Sequence, residues 1–307
     1  MRRWMLVGQI GQAVLVHAPA KINLFLDVLG KRADGFHELE TLMVTVGLYD
    51  TLSFREVCSD EIRLRCFDAG CKLPAGRSGT AAVPEGRDNL IVQAAELLCR
   101  SAGIRRGASI ELVKRIPASA GLGGGSSDAA AALVALNRLW NAGLSQSDLC
   151  ELAAELGSDI PFFLSPTSAA VCRGRGEIIE PLDLPLSLHV VIARPRTGLS
   201  TPLVFQHCRP SDRPRDMRRL VECLRAGHLK RASRHLHNSL QSPAERLNAE
   251  VEHLKFVFSK QPVLGHIMSG SGSAWFGLCA SAQHASSILA RLSSQRIGCA
   301  FVAQSRP

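Results

Sequence analysis

Aromatic residues are scarce, at 5% of 307 residues with a single tyrosine. The core must therefore be built largely from aliphatic side chains. No uninterrupted apolar run approaches the ~20 residues that a membrane-crossing helix needs. Ten cysteines are present, yet none forms a C-x-x-C pair. The closest two, Cys66 and Cys71, have no histidine or second cysteine pair at zinc spacing. The spacing is too irregular and the chain too long for a disulfide framework. Cys99, Cys150 and Cys223 fall inside helical patterns, where a free thiol acts as a small hydrophobe. A reducing, cytoplasmic compartment is expected. The apolar patch after Arg2-Arg3 is broken by Gly8, Gln9, Gly11 and Gln12, so it lacks the core of a signal peptide. Internal repeats are also missing.

What is present is a chain that can bury a sizeable core. Hydrophobic residues make up 46% and charged residues 21%, which excludes wholesale disorder, collagen and coiled coil. At ~150 residues per domain the length suggests two domains. Composition shifts near Glu180-Pro181 and Leu184-Pro185, so the expected division is 1–180 and 181–307. The formal net charge is +9, and from Gln206 to Leu240 nine Lys/Arg face three acids. Such a surface favours anionic partners, or is a solvated helical face. No aromatic falls between Pro210 and Asn248, which argues against a single-stranded nucleic-acid platform.

Periodicity places the elements. Ile22, Leu24, Leu26 and Val28 alternate with Lys21, Asn23, Phe25 and Asp27, a strand signal that puts Lys21 and Asn23 on one face. Residues 39–46, 51–54 and 109–116 read as further strands, 67–87 as a surface loop, and 89–102 as a helix. A helix is expected from about Ser127 to Trp140. Another starts at Ser145 with Asp148 completing a capping box, and Gly157 stops it. Beyond the boundary come a strand at 188–193, a helical basic region, a strand–turn–strand around 268–279, a helix at 282–294 and a last strand near 299–303. Strands and grouped helices together indicate an α+β fold.

The most informative segment is Pro117-Ala118-Ser119-Ala120-Gly121-Leu122-Gly123-Gly124-Gly125-Ser126-Ser127-Asp128, between a strand and a helix. It carries no Gly-Lys-Ser/Thr, and Ser126 stands where a dinucleotide fingerprint needs a third glycine. Glycines allow close backbone approach, successive N–H groups form an anion nest, and the helix start adds unpaired N–H groups and partial positive charge. Ser126 and Ser127 offer hydroxyls to phosphate or Mg²⁺. The reading is a phosphate cradle without its own lysine.

This loop resembles the ATP loop of the GHMP kinases (galacto-, homoserine, mevalonate and phosphomevalonate kinases). Two further stretches agree in order: Ala18-Pro19-Ala20-Lys21-Ile22-Asn23 continuing to Arg32-Ala33-Asp34-Gly35-Phe36-His37, and Met268-Ser269-Gly270-Ser271-Gly272-Ser273-Ala274. The resemblance runs from about residue 13 to 303, nearly the whole chain. The full Gly-Gly-Gly-Ser-Ser-Asp run is similar to the branch acting on a cytidine-diphosphate-linked alcohol in the non-mevalonate isoprenoid route.

The resemblance implies a two-domain GHMP kinase fold, with a ribosomal-protein-S5-like N-terminal domain and a ferredoxin-like C-terminal domain. It implies ATP and Mg²⁺, and a small-molecule nucleotide-linked substrate rather than nucleic acid or membrane. Asp159 is then the base that takes the substrate hydroxyl proton, a position that could otherwise be a helix cap. Lys21 supports that carboxylate and the charge on the transferring phosphoryl group. Asn23 binds the hydroxyl-bearing end. Phe36 and Phe205 sandwich a cytosine ring, His37 bonds its edge, and Thr201 lines the same side. Many relatives carry Tyr at the Phe36 position, so a phenol hydrogen bond is lost here. Asn89, which could equally cap a helix, and Lys114 contact the nucleotide. Ser269, Gly270, Ser271 and Gly272 form a second phosphate loop.

Overall fold

The computed structural model describes residues 5–70, 83–295 and 297–305. Cys71 and most of the expected 67–87 loop lie outside them. The first half runs β1 (Leu6–Ile10), β2 (Ala13–Lys31), β3 (His37–Val57), β4 (Ile62–Asp68), α1 (Leu90–Ala102), β5 (Gly107–Lys114), α2 (Gly124–Leu139), α3 (Gln146–Leu156), α4 (Ile160–Leu164), β6 (Ala169–Gly174) and β7 (Ile178–Pro181). The second half runs β8 (His189–Arg194), α5 (Thr201–Gln206), α6 (Arg218–Arg225), α7 (Leu229–Ala232), β9 (His237–Asn238), α8 (Gln241–Leu247), α9 (Ala249–Ser259), β10 (Gly265–Met268), β11 (Trp275–Cys279), α10 (Ala282–Ser293) and β12 (Cys299–Gln304).

Among the described residues one sheet has eight strands, with a path β1-β2-β3-β5-β4; β6 joins it at β3, β7 pairs with β6, and β9 pairs with β2. The other has four, ordered β10-β11-β8-β12. β2 and β3 are long antiparallel partners, with register shifts at Pro19/Ala20, Asn23/Phe25 and Val28/Gly30. Such bulges bend a strand and re-aim its side chains. The alternation at 21–28 was expected to give one polar face. Here both faces are buried, and Lys21, Asn23 and Asp27 are all under 4% exposed. β9, reached only after residue 236, covers the edge of β2.

Aliphatic residues build three cores. One packs Val16, Leu52, Phe54 and Ile110 against Leu98, Leu133 and Phe162 of the helices. A second lies between the sheets, where Ile22, Leu42 and Val44 meet Val190, Ile192 and Phe276. The third buries Val191, Ala193 and Trp275 against Phe258, Ile288 and Leu292. The period-two pattern of β8 thus feeds two cores from opposite faces, and the second core crosses residue 180. The capping box at Ser145 forms, with Asp148 Oδ2 accepting from Ser145 N at 2.7 Å and Ser145 Oγ from Asp148 N at 3.2 Å. Among the described residues no cysteine is joined in a disulfide. No described helix is long and apolar enough to cross a membrane.

Candidate active site

Helix α2 begins at Gly124, three residues before the expected start. Gly123 caps it in a left-handed conformation, φ 69°, which glycine adopts at little cost. The first helical amide bond runs from Ser127 N to Gly123 O at 2.9 Å. The preceding N–H groups of Gly124, Gly125 and Ser126 are therefore the helix's unpaired donors. Glycine is demanded by close approach. A Cβ on Gly121 would lie 2.1 Å from Ser269 O, and one on Gly123 would lie 2.8 Å from Lys21 Cγ and 2.9 Å from the Phe163 ring. The loop is fastened on both sides: Lys21 N donates to Leu122 O at 2.9 Å, Ser269 Oγ to Gly121 O at 2.9 Å, and Ala274 N to Ala120 O at 3.0 Å. Gly121→Ala forces this loop and the 269–272 turn apart. It is expected to lower kcat/KM for ATP by up to about 10²-fold, as a 1 Å misplacement can; steady-state kinetics over an ATP series checks it.

Lys21 Nζ stands beside this loop. It donates to Asn23 Oδ1 at 2.7 Å and lies 3.3 Å from Asp159 Oδ2. Asn23 Nδ2 in turn donates to Thr41 Oγ1 at 2.9 Å, and Thr41 Oγ1 to Phe25 O at 2.6 Å. This chain fixes the ammonium from behind, so Lys21 is buried while the Asp159 side chain remains 39% exposed. Asp159 occupies the cap position of α4 but makes no side-chain cap bond. Its carboxylate is thus directed at Lys21 and the opening rather than at its own helix. Sequence reading singled out Lys21, Asn23 and Asp159 but missed Thr41, for which no local signal exists.

Beneath the loop lies a buried ion cluster. Lys114 Nζ bonds Asp50 Oδ2 at 2.5 Å and Asp128 Oδ2 at 2.6 Å, with all three side chains at most 5% exposed. Asp50 Oδ1 also accepts from Arg115 N at 2.5 Å and Ile116 N at 2.8 Å. The cluster pins the end of β5, the start of the loop and the first turn of α2 to β3. Lys114 is thereby placed under the loop, its ammonium bonded to two carboxylates. Ser127 also faces inward, its Oγ buried without a partner.

One positive charge cannot balance two negative ones, and Asp128 Oδ1 has no partner. Burial, followed by Lys114 and Asp50 in opposite senses, pushes the Asp128 carboxyl up to about 7. A raised folded-state value means the native protein binds more protons than the unfolded chain between about 4 and 7, so this group's contribution weakens as pH rises through that window. Asp128→Asn removes the unbalanced charge. It is expected to melt close to wild type at pH 5 and above it at pH 8.5; thermal melts at the two values check this.

The remaining sequence-predicted residues divide. Asn89 is the N-cap of α1, with Oδ1 accepting from Ile91 N at 2.8 Å and Nδ2 donating to Pro84 O at 2.6 Å, so its amide is engaged in capping. His37 and Phe205 are brought together, ring centroids 5.2 Å apart and tilted 31°. Burial, and then the charge of Lys31, hold His37 below the usual imidazole range, so it is a neutral donor and acceptor at pH 7. Phe36 is 49% exposed. Thr201 Oγ1 lies 2.7 Å from Ser271 Oγ, tying α5 to the 269–272 turn. That turn is held from behind by a residue missed in the sequence: Asn238 Nδ2 donates to Met268 O and Gly270 O, both at 2.8 Å. Two cavities of about 530 Å³ involve none of these residues. One lies beside α6 with Arg173, Glu180 and Arg218, the other between β3 and β12 with Tyr49, His189 and Gln304.

A glycine loop opening a helix, a second turn locked against it, and a lysine–carboxylate pair at their junction make a candidate phosphoryl-transfer cleft. Comparison with known proteins agrees. Residues 89–166 match the GHMP kinases N-terminal domain and residues 220–297 the GHMP kinases C-terminal domain. The chain is an ATP-dependent small-molecule kinase of the GHMP family. A relative from Pelotomaculum thermopropionicum, 4-diphosphocytidyl-2-C-methyl-D-erythritol kinase, is 42% identical over 276 residues, 89% of this chain and 92% of that one. A crystal structure of 4-(cytidine 5'-diphospho)-2C-methyl-D-erythritol kinase superposes with a TM-score of 0.77 at 37% identity, covering 95% of this chain and 99% of the other. Homoserine kinase from Cytophaga hutchinsonii shares the fold alone, at 19% identity and a TM-score of 0.71 over 97% of this chain and 96% of that one. Within the GHMP kinases, the chain belongs with the 4-diphosphocytidyl-2-C-methyl-D-erythritol kinases.

Proposed function

We propose that the chain transfers the γ-phosphoryl group of ATP to the 2-hydroxyl of 4-diphosphocytidyl-2-C-methyl-D-erythritol, a step of the non-mevalonate isoprenoid precursor route. The observation that carries the chemistry is the Lys21–Asp159 pair, 3.3 Å apart and packed against the glycine loop. Phosphoryl transfer asks the protein for position and charge rather than covalent chemistry. The N–H groups of Gly124, Gly125 and Ser126 hold the triphosphate, with the 269–272 turn closing over it. Asp159 takes the proton of the 2-hydroxyl as its oxygen attacks the γ-phosphorus and the bond to the β–γ bridging oxygen breaks. Lys21 stabilises the charge that gathers on the moving group. Asn23 orients the alcohol. Phe36, His37, Phe205 and Thr201 take the cytidine end, the rings supplying faces for a base.

Residues 1–180 then form the ATP-binding part and residues 181–307 the part that completes the substrate side. Mg²⁺ would be held mainly by the phosphate oxygens of the nucleotide, with few protein donors. The Ser126 hydroxyl at the start of α2 is the side-chain donor that would fit such an ion, which would neutralise triphosphate charge when bound. Free thiols suit the cytoplasm; burial pushes Cys66 and Cys279 up to about 11. The test is transfer of phosphate from ATP to this substrate by purified protein, with mevalonate and homoserine in parallel. Turnover of the cytidine-linked alcohol alone is expected. Turnover of either of the other two in its place contradicts the reading.

A further inference from the structure

Arg175 sits in the turn Gly174-Arg175-Gly176 that joins β6 to β7. Its guanidinium carbon lies 4.7 Å from the centroid of the Phe36 ring. On the other side of the turn, a Cβ on Gly176 would lie 3.7 Å from Asp159 Oδ1 and 3.6 Å from Ser158 O. Two consecutive residues thus reach from the exposed aromatic ring to the carboxylate of the phosphoryl-transfer cleft. The turn is held by Glu177, whose Oε2 accepts from Arg175 N at 2.6 Å. Positive φ at Gly174 and Gly176, 71° and 119°, lets the chain reverse this tightly.

The Arg175 side chain is 27% exposed, and its polar contacts among the described residues are long. A terminal nitrogen reaches Ala154 O at 3.4 Å, and Nε lies 3.6 Å from Glu177 Oε1. A guanidinium carries five donors in a planar fork. Stacking on Phe36 uses its face and leaves its edge, where those donors point, for an anion.

We propose that Arg175 is a substrate-binding residue that grips the diphosphate of the nucleotide-linked alcohol. The inference rests on the cytidine-diphosphate reading given above and adds a residue to it. With the base at Phe36 and the alcohol at Lys21 and Asp159, the diphosphate must cross between them. Arg175 is the cation at that crossing. Lys21 is already engaged with Asn23 and Asp159, and Arg32 is paired with Asp34 and Glu38. Lys31, opposite His37 across the β2–β3 hairpin, is the control cation.

The experiment is calorimetric titration of cytidine, CDP and ADP into wild type, Arg175→Ala, Arg175→Lys and Lys31→Ala. Wild type is expected to bind CDP more tightly than cytidine. Arg175→Ala is expected to lose roughly tenfold to a hundredfold in CDP affinity, the scale of a charge-assisted phosphate contact, with cytidine and ADP unchanged. Arg175→Lys recovers part of the loss, because a point charge replaces the fork. KM for the cytidine-linked alcohol rises more than kcat falls. Retention of the CDP-over-cytidine preference by Arg175→Ala, its loss in Lys31→Ala instead, or a loss confined to ADP overturns the assignment while leaving the substrate reading intact. Failure of wild type to bind cytidine or CDP at all overturns the substrate reading, and Arg175 with it.

Discussion

Asp159→Asn is expected to lower kcat by about 10²- to 10⁴-fold, the usual contribution of a positioned general base. The substitution keeps the shape of the side chain and removes its ability to accept a proton. KM for ATP is expected to stay within a few-fold, because the nucleotide loop is fastened by Lys21 N, Ser269 and Ala274 and not by this carboxylate. Stability should barely move: the side chain is 39% exposed and makes no cap bond, and an ion pair with one exposed member contributes about 1 kcal/mol or less. Rapid-quench and steady-state rates, with a thermal melt of the same preparation, check all three. A variant that keeps wild-type kcat removes Asp159 from the role of base.

Lys114→Met should be the most destabilising single change in the cleft region. The ammonium is buried between Asp50 and Asp128, themselves fully buried or nearly so. Removing it strands two carboxylates away from water, and breaking a buried pair in this way costs about 3–5 kcal/mol. That is a large share of a total stability of about 5–15 kcal/mol. Burial opposes the charge on Lys114, but the two carboxylates outweigh it and raise its affinity for a proton. The sign is then fixed: the cluster's stabilisation is present below the ordinary lysine range and is lost as pH climbs through the raised value. Adding Asp128→Asn to Lys114→Met should restore part of the loss, because the two sites share one interaction. Urea unfolding of the two variants measures it. A midpoint for Lys114→Met equal to that of wild type contradicts the ion cluster as the support of the glycine loop.

These two residues also show what could be read from the chain alone and what could not. The glycine loop, the strand before it and the helix after it are local patterns, and they appear where periodicity and turn chemistry put them. The start of α2 was missed by three residues because glycines read as loop, whereas a left-handed Gly123 lets Gly124 enter the helix. Asn89 was readable either as a cap or as a ligand contact; its Oδ1 caps α1 and its Nδ2 donates to Pro84 O. The resemblance implied a nucleotide contact for Lys114. Its partners, 64 residues upstream and 14 downstream, are brought to it only by the β3–β5 pairing and the α2 packing. Asn23 and Lys21 were visible as one strand face, yet nothing nearby announced that Thr41 from β3 would bond Asn23 or that Asn238 from β9 would hold the turn after Met268. Arg175, between two glycines in a turn, reads as solvated charge until β6 is set beside β3. The basic 206–240 stretch drew attention by charge alone. In part it is a surface of local pairs, such as Arg218 with Asp216.

The central claim is that the amide donors at the start of α2 hold a triphosphate whose end points at Lys21 and Asp159. A crystal structure with a non-hydrolysable ATP analogue and CDP tests it most directly. The account predicts the γ-phosphate beside Lys21 Nζ, the other phosphates over the N–H groups of Gly124, Gly125 and Ser126, and the pyrimidine against Phe36. A triphosphate bound elsewhere, or an Asp159 carboxylate turned away from the γ-phosphate, would contradict it.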